Sequence, residues 1–264
     1  AFGAKLLAWL APDRGEVPQV EVPVEPYDGT ELPMENGVAG RSVLLKQLDS
    51  AAEIIEEYKP KRLIVFGGDC LISQAPFAYL NEKYSGKLGV LWLDAHPDVS
   101  TPEMFHHEHA MVLGNLLGEG DPEFAARVKI PVEPKMVMYA GLQQMLPEEE
   151  KIVNRLNLRR AGVEELSENS RPVLEWIKEN NIEYLAVHLD LDVLNPELFR
   201  SLLPCEPVEH PFESVPGKMT LPQAARIIQD VSKEADIVGL SIAEHLPWDA
   251  LNLHNFLVSL PVFK

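Results

Sequence analysis

Five short apolar runs constrain the fold of this chain most. They lie at Leu63–Phe66, Leu88–Leu93, 136–140, 184–189 and 237–242. Each is rich in Val, Ile, Leu and aromatic residues and shows little polar alternation. Runs of this kind read as strands buried on both faces of a parallel sheet. Amphipathic stretches separate them. Residues 43–58 carry Leu44, Leu45, Leu48, Ala51, Ile54 and Ile55 at helical spacing, and 172–179 and 221–232 read the same way. Thr220 sits where an N-cap belongs. Repeated β-α alternation predicts one α/β domain over residues 1–264, with helices layered on the sheet.

Other segments depart from that pattern. The stretches 17–36 and 203–218 are rich in Pro and read as surface loops. The apolar stretch 6–11 is too short for a secretion signal and is followed by Pro12-Asp13-Arg14, so a first buried strand is expected there. No run approaches the ~20 apolar residues of a membrane helix, and no membrane partner is expected. The 41 acidic against 23 basic residues give a net charge of −18. That balance argues against nucleic acid, which needs clustered Lys and Arg, and mildly favours a cationic ligand. Cys70 and Cys205 make no disulfide framework and suit a reducing cytoplasm.

Chemistry concentrates where the apolar runs end. Leu91-Trp92-Leu93 leads into Asp94-Ala95-His96-Pro97-Asp98. At spacing i, i+2, i+4 an extended chain puts both carboxylates and the imidazole on one side. The run at 184–189 leads into Asp190-Leu191-Asp192, again two carboxylates on one face. Ligands of open parallel sheets collect at the carboxyl ends of strands. One Asp alone would read as a helix cap. Two clusters together would repel and would be costly to desolvate, and a pair of divalent ions resolves that conflict.

From Arg62 to Pro247 the sequence resembles the arginase/agmatinase/formimidoylglutamase family of ureohydrolases. The resemblance rests on five motifs in order: Gly67-Gly68-Asp69-Cys70, Asp94-Ala95-His96-Pro97-Asp98, Asp190-Leu191-Asp192 with Pro196, Gly217-Lys218-Met219-Thr220, and Glu244-His245-Leu246-Pro247. It implies a three-layer α/β/α fold on a mostly parallel, about eight-stranded sheet. It also implies a binuclear manganese site. One ion would be held by position 70, Asp94, Asp98 and Asp190, and the other by Asp94, His96, Asp190 and Asp192. The implied activity is hydrolysis of a C–N bond in a small cationic amidine or guanidino compound, by attack of a water ionised between the metals. His109 would shuttle a proton to the leaving amine, with His106 and His107 as neighbours. Glu244 would accept the substrate's N–H groups. The resemblance further implies a homo-oligomer.

Three departures matter. Position 70 is Cys where the family has a metal-binding His. The thiol could ligate a first ion of softer preference than manganese, could be a small buried residue beside a weakened site, or could mark a site without metal. After the strand at 136–140, Gln144 and Leu146 stand where arginases carry acids that anchor the α-amino group. L-Arginine is therefore a poor expected substrate. The loop 99–107 offers Ser100 and Thr101 in place of the usual Asn. Two other readings stay open: a single-metal, deacetylase-like amide hydrolase, and a catalytically silent subunit of the same fold.

Overall fold

The computed structural model describes residues 2–12, 15–25, 30–207 and 215–263. In chain order its helices and strands are α1 (Phe2–Leu10), β1 (Met34–Glu35), β2 (Val38–Ala39), α2 (Arg41–Tyr58), β3 (Leu63–Phe66), α3 (Gln74–Lys83), β4 (Leu88–Leu93), α4 (Val112–Leu117), α5 (Pro122–Ala125), β5 (Val137–Ala140), α6 (Pro147–Arg155), β6 (Arg159–Ala161), α7 (Arg171–Glu179), β7 (Tyr184–Asp190), α8 (Leu221–Val231), β8 (Asp236–Ala243) and α9 (Trp248–Ser259). Short 3₁₀ turns join several of them.

Six strands form one parallel sheet in the order β3-β8-β7-β4-β5-β6. Its middle is dry because its sequence is apolar without interruption. All six residues of β4 are buried, which requires cover on both faces. Gly89 within it is needed for packing, since a Cβ there would stand 2.6 Å from Ile182. Helix α7 turns Val173, Trp176 and Ile177 inward. Helix α8 starts at Thr220 through a capping box. The Thr220 side chain accepts from the Gln223 N–H, and the Gln223 side chain accepts from the Thr220 N–H at 2.7 Å. The result is a three-layer α/β/α arrangement.

Strand order also locates the site. From β4 the chain moves outward to β5 and β6. It then returns to the other side of β4 to lay down β7 and β8. The carboxyl ends of β4 and β7 thus flank the switch point of the sheet, where a ligand crevice opens.

Three expectations are corrected. The sheet has six strands among the described residues, not eight. The stretch 6–11 is no strand: it belongs to α1, none of whose residues is buried. Its Ala, Leu and Lys residues favour a helix, and no β-branched residue opposes one. Residues 34–39 in the first expected loop form a small antiparallel hairpin, β1 with β2. Strand β6 is an addition, too short and too basic to stand out as an apolar run. Of the second expected loop, 208–214 lie outside the described residues. No described helix is long and apolar enough to cross a membrane.

Candidate metal centre

Four strand ends supply the centre. Asp94 follows β4, Asp190 closes β7, Glu244 follows β8, and Gly67-Gly68-Asp69-Cys70 follows β3. Among the described residues, the donors gather into three overlapping groups whose ligand atoms lie within 4.8 Å of one another. These are Cys70 with Asp94, Asp98 and His188; Cys70 with Asp190 and Glu244; and Asp94 with His96 and Asp192.

Local sequence explains part of this placement. The Asp94 Oδ1 accepts the His96 N–H at 2.7 Å, and the Asp190 Oδ1 accepts the Asp192 N–H at 2.7 Å. Each leading Asp thus caps the turn that carries the next ligand, so the capping and ligand readings of these acids coexist. Asp98 and Glu244 hold left-handed backbones, with φ of 49° and 58°. Such conformations cost roughly 1–3 kcal/mol each for a residue with a Cβ. The Glu244 N–H donates to the Gly68 carbonyl at 2.7 Å, which ties β8 to the turn after β3.

The electrostatics are those of acids sunk in protein without enough positive charge. Burial, with Asp192 adding repulsion, pushes the Asp94 carboxyl up to about 6. Burial likewise raises Asp98 and Asp190 well above the usual carboxylate range. It brings Glu244 up to about 8, helped by Asp69. The Cys70 thiol is raised by burial and then by Asp190, and it donates to the Asp190 Oδ2 at 3.0 Å. One ion pair relieves the cluster. The His96 Nδ1 lies 2.9 Å from the Asp192 Oδ2. Burial opposes charge on this ring, but its bonds to Asp192 and Asp94 outweigh that and push it up to about 12.

His109 stands beside the centre. Burial lowers its basicity, while Asp69, and more weakly Asp192, act in the opposite sense. Its ring stacks on His107 at 5.9 Å and meets Phe105 edge-on. His106 instead contacts the Gly37 carbonyl through Nδ1 at 2.9 Å.

A divalent metal fits this donor set. Among the described residues, the Asp98 Oδ2 is buried with no hydrogen-bond partner. It faces a thiol, a second carboxylate and an imidazole. An orphaned carboxylate oxygen among buried acids is an unmet demand for a cation.

A family model described as "Arginase family" matches residues 17–250. The chain belongs to the arginase family. Its relatives are distant. An arginase of Staphylococcus aureus (strain MRSA252) is 25% identical over 194 residues, covering 70% of this chain and 62% of the relative. The chain therefore spans less than two thirds of that relative's length. In shape it is similar to a Bacillus caldovelox arginase, with TM-score 0.72, 21% identity, and 86% and 76% of the two chains covered. It is also similar to an Entamoeba histolytica arginase solved with L-ornithine, with TM-score 0.70, 21% identity, and 83% and 74% covered.

Within this arginase-family centre the structure brings Cys70, Asp94, His96, Asp98, Asp190, Asp192 and Glu244 together. His109 is in none of the three groups. Ser100 and Thr101 are already engaged, since Ser100 donates to the buried Glu149 and Thr101 donates to Glu103 at 2.7 Å. The Gln144 Oε1 accepts the Val215 N–H at 2.9 Å. Sequence reasoning passed over His188. Its signal was there: a polar residue two places before Asp190, on the same face of an otherwise apolar strand. It also passed over a buried polar chain around Glu108 and Asn115. There the Asn115 Nδ2 donates to the Glu108 Oε1 at 2.6 Å and to the Gln74 Oε1 at 3.0 Å, while Arg41 forks onto Asp121.

Proposed function

We propose that this arginase-family chain is a metal-dependent hydrolase that cleaves a C–N bond of a linear amidine or guanidino compound. The observation that carries the reading is Asp98: a buried acid whose Oδ2 has no hydrogen-bond partner among the described residues, grouped with Cys70 and Asp94 at the switch point. Cys70, Asp94, Asp98 and Asp190 would hold one ion, and Asp94, His96, Asp190 and Asp192 the other. The family resemblance points to manganese, and the thiol of Cys70 shifts the preference toward zinc, cobalt or nickel. Bound there, such ions supply Lewis acidity and lower the pKa of water toward neutrality.

The chain's own groups do the rest. Glu244 presents a carboxylate that accepts two N–H donors of a planar cation in a fork. A cation brought in among Asp69, Asp190 and Glu244 stabilises the ionised form of these acids, so the site favours a cationic substrate over a neutral one. His109, kept neutral by burial, has an imidazole nitrogen free of a proton near pH 7. It can take a proton and hand it to the departing amine. Gln144 and Leu146 offer no carboxylate to an α-ammonium group, and the Gln144 carbonyl oxygen is already occupied. The substrate is therefore a compound without an amino-acid head group. A cytoplasmic homo-oligomer completes the proposal. Free Cys70 and Cys205 support the compartment, and exposed Leu253, Phe256 and Val258 on α9 support the oligomer.

Elemental analysis of the purified chain, followed by urea and ammonia release from a panel of guanidino and amidine compounds, tests this. The expected result is stoichiometric divalent metal, slow turnover of L-arginine, and faster turnover of a compound lacking the α-amino group. Glu244→Ala should cost about 2–4 kcal/mol of transition-state stabilisation on the best substrate, the size of a lost oxyanion donor. Rapid arginine hydrolysis, or full activity after the metal is chelated away, overturns the reading.

A further inference from the structure

His188 is fully buried in β7 and is held from three sides. Its ring lies on the Trp92 indole with centroids 3.8 Å apart and planes 25° from parallel. Phe77 meets the far ring edge-on at 6.4 Å. On its other edge, Nδ1 lies 2.8 Å from the Ser73 Oγ and 3.0 Å from the Ser241 Oγ. Ser73 gives its single hydroxyl proton to Ser241, at 2.8 Å. With Ser73 donating to Ser241, its oxygen accepts from the imidazole, which puts the ring proton on Nδ1. That leaves Nε2 as a bare lone pair.

The lone pair points at acids. The nearest charged atom is the Asp94 Oδ2 at 3.8 Å, too far for a hydrogen bond. Nε2 is buried and has no partner. The other unpartnered atom of the same group is the Asp98 Oδ2. Two orphaned acceptors, one nitrogen and one oxygen, thus converge with the Cys70 sulfur and an Asp94 oxygen. The Cys70 thiol of the same group donates to Asp190. A cation satisfies both orphans at once. A ligating imidazole with its far nitrogen pinned by a hydrogen bond is the usual arrangement around a protein-bound metal.

We propose that His188 Nε2 is a direct ligand of the deeper ion, together with Cys70, Asp94, Asp98 and Asp190. This rests on the metal-centre reading above and deepens it. An ion held there would gain a nitrogen from β7, and a set of one sulfur, one nitrogen and carboxylate oxygens suits zinc or cobalt. Ser73 and Ser241 become positioning residues that fix the ring's tautomer, and Trp92 fixes its plane.

The test is a cobalt titration of the metal-free full chain, read by cobalt bound per chain and by the thiolate-to-cobalt absorption band of Cys70. The wild type should bind two ions and show the band. His188→Ala should bind one ion and lose the band, or need roughly tenfold to a hundredfold more cobalt to regain it. An unchanged band and stoichiometry in a folded His188→Ala variant overturns the ligand while leaving the metal centre intact. A wild-type chain that takes up no cobalt overturns both. Should the variant fail to fold by circular dichroism, X-ray absorption of the zinc-loaded wild type decides. Imidazole scattering from two rings over two ions supports His188, and scattering from one ring overturns it.

Discussion

The deep group of Cys70, Asp94, Asp98 and His188 and the shallow group of Asp94, His96 and Asp192 share a carboxylate but neutralise it differently. In the shallow group the His96 and Asp192 side chains are 29% and 19% exposed and form an ion pair at 2.9 Å. That half carries its own cation and stays satisfied without an ion. In the deep group every member is buried. Burial raises the thiol and the acids and lowers the His188 imidazole to about 3, so no member is positive. The difference separates two kinds of ion. A deep ion displaces the Cys70 thiol proton, breaks no ion pair and quenches two orphans. A shallow ion must displace the proton of His96. The deep ion is therefore the tighter one, and mild chelation should strip the shallow ion first.

The largest effect is expected where the halves meet. Asp94→Asn removes the shared charge, so both ions should be lost by elemental analysis, with turnover falling more than about a hundredfold, beyond the usual cost of an outer-shell change. Next come variants that split the centre. Asp98→Asn should release only the deep ion and His96→Ala only the shallow one. Loss of both ions from Asp98→Asn would break the comparison.

A smaller effect is the pH dependence of the metal-free protein. Glu244 and Glu108 are raised to about 8 and His96 to about 12, so above pH 6.5 the folded chain holds more protons than the unfolded one. The stability contributed by Glu244 and Glu108 is therefore lost as pH rises from about 4.5 through about 8, and that of His96 as pH rises from about 6.5 toward about 12. Below 6.5 the depressed His188 pulls the other way. The thermal midpoint should fall with rising pH in the metal-free chain and rise with pH at limiting metal, because binding releases protons. Parallel slopes with and without metal would count against an ion in this cluster. The smallest effect is a change of preference: Cys70→His should shift relative occupancy toward manganese, since imidazole suits that ion better than a thiol. An unchanged preference would place Cys70 outside the coordination sphere.

Much of the fold was legible because its cause is local. Leu88–Leu93 is apolar throughout, and such a run has no low-energy place except between two helical layers. Thr220 and Gln223 cap α8 within four residues of chain. The misreading of α1 has the same root. Six apolar residues without β-branching are ambiguous in period, and the packing that decides between strand and helix is not local. The strand count failed because it came from the resemblance.

The site divides along the same line. Sequence alone determined that Asp94, His96 and Asp98 stand at i, i+2, i+4 beyond one strand and that Asp190 and Asp192 stand at i, i+2 at the end of another; the chain turns at both places instead of staying extended, with Asp94 and Asp190 capping the turns. Sequence also determined the family, through short motifs in a fixed order. It did not determine that β4 lies beside β7, which puts Asp94 within reach of Asp192, nor that Cys70 meets an aspartate 120 positions away. The role of His188 was further out of sight. Its free nitrogen is defined by Trp92, Ser73 and Ser241, which reach it from three other elements. The tertiary structure decided these points because desolvation and Coulomb interaction act through space, on whichever groups the packing brings together, however far apart they stand along the chain.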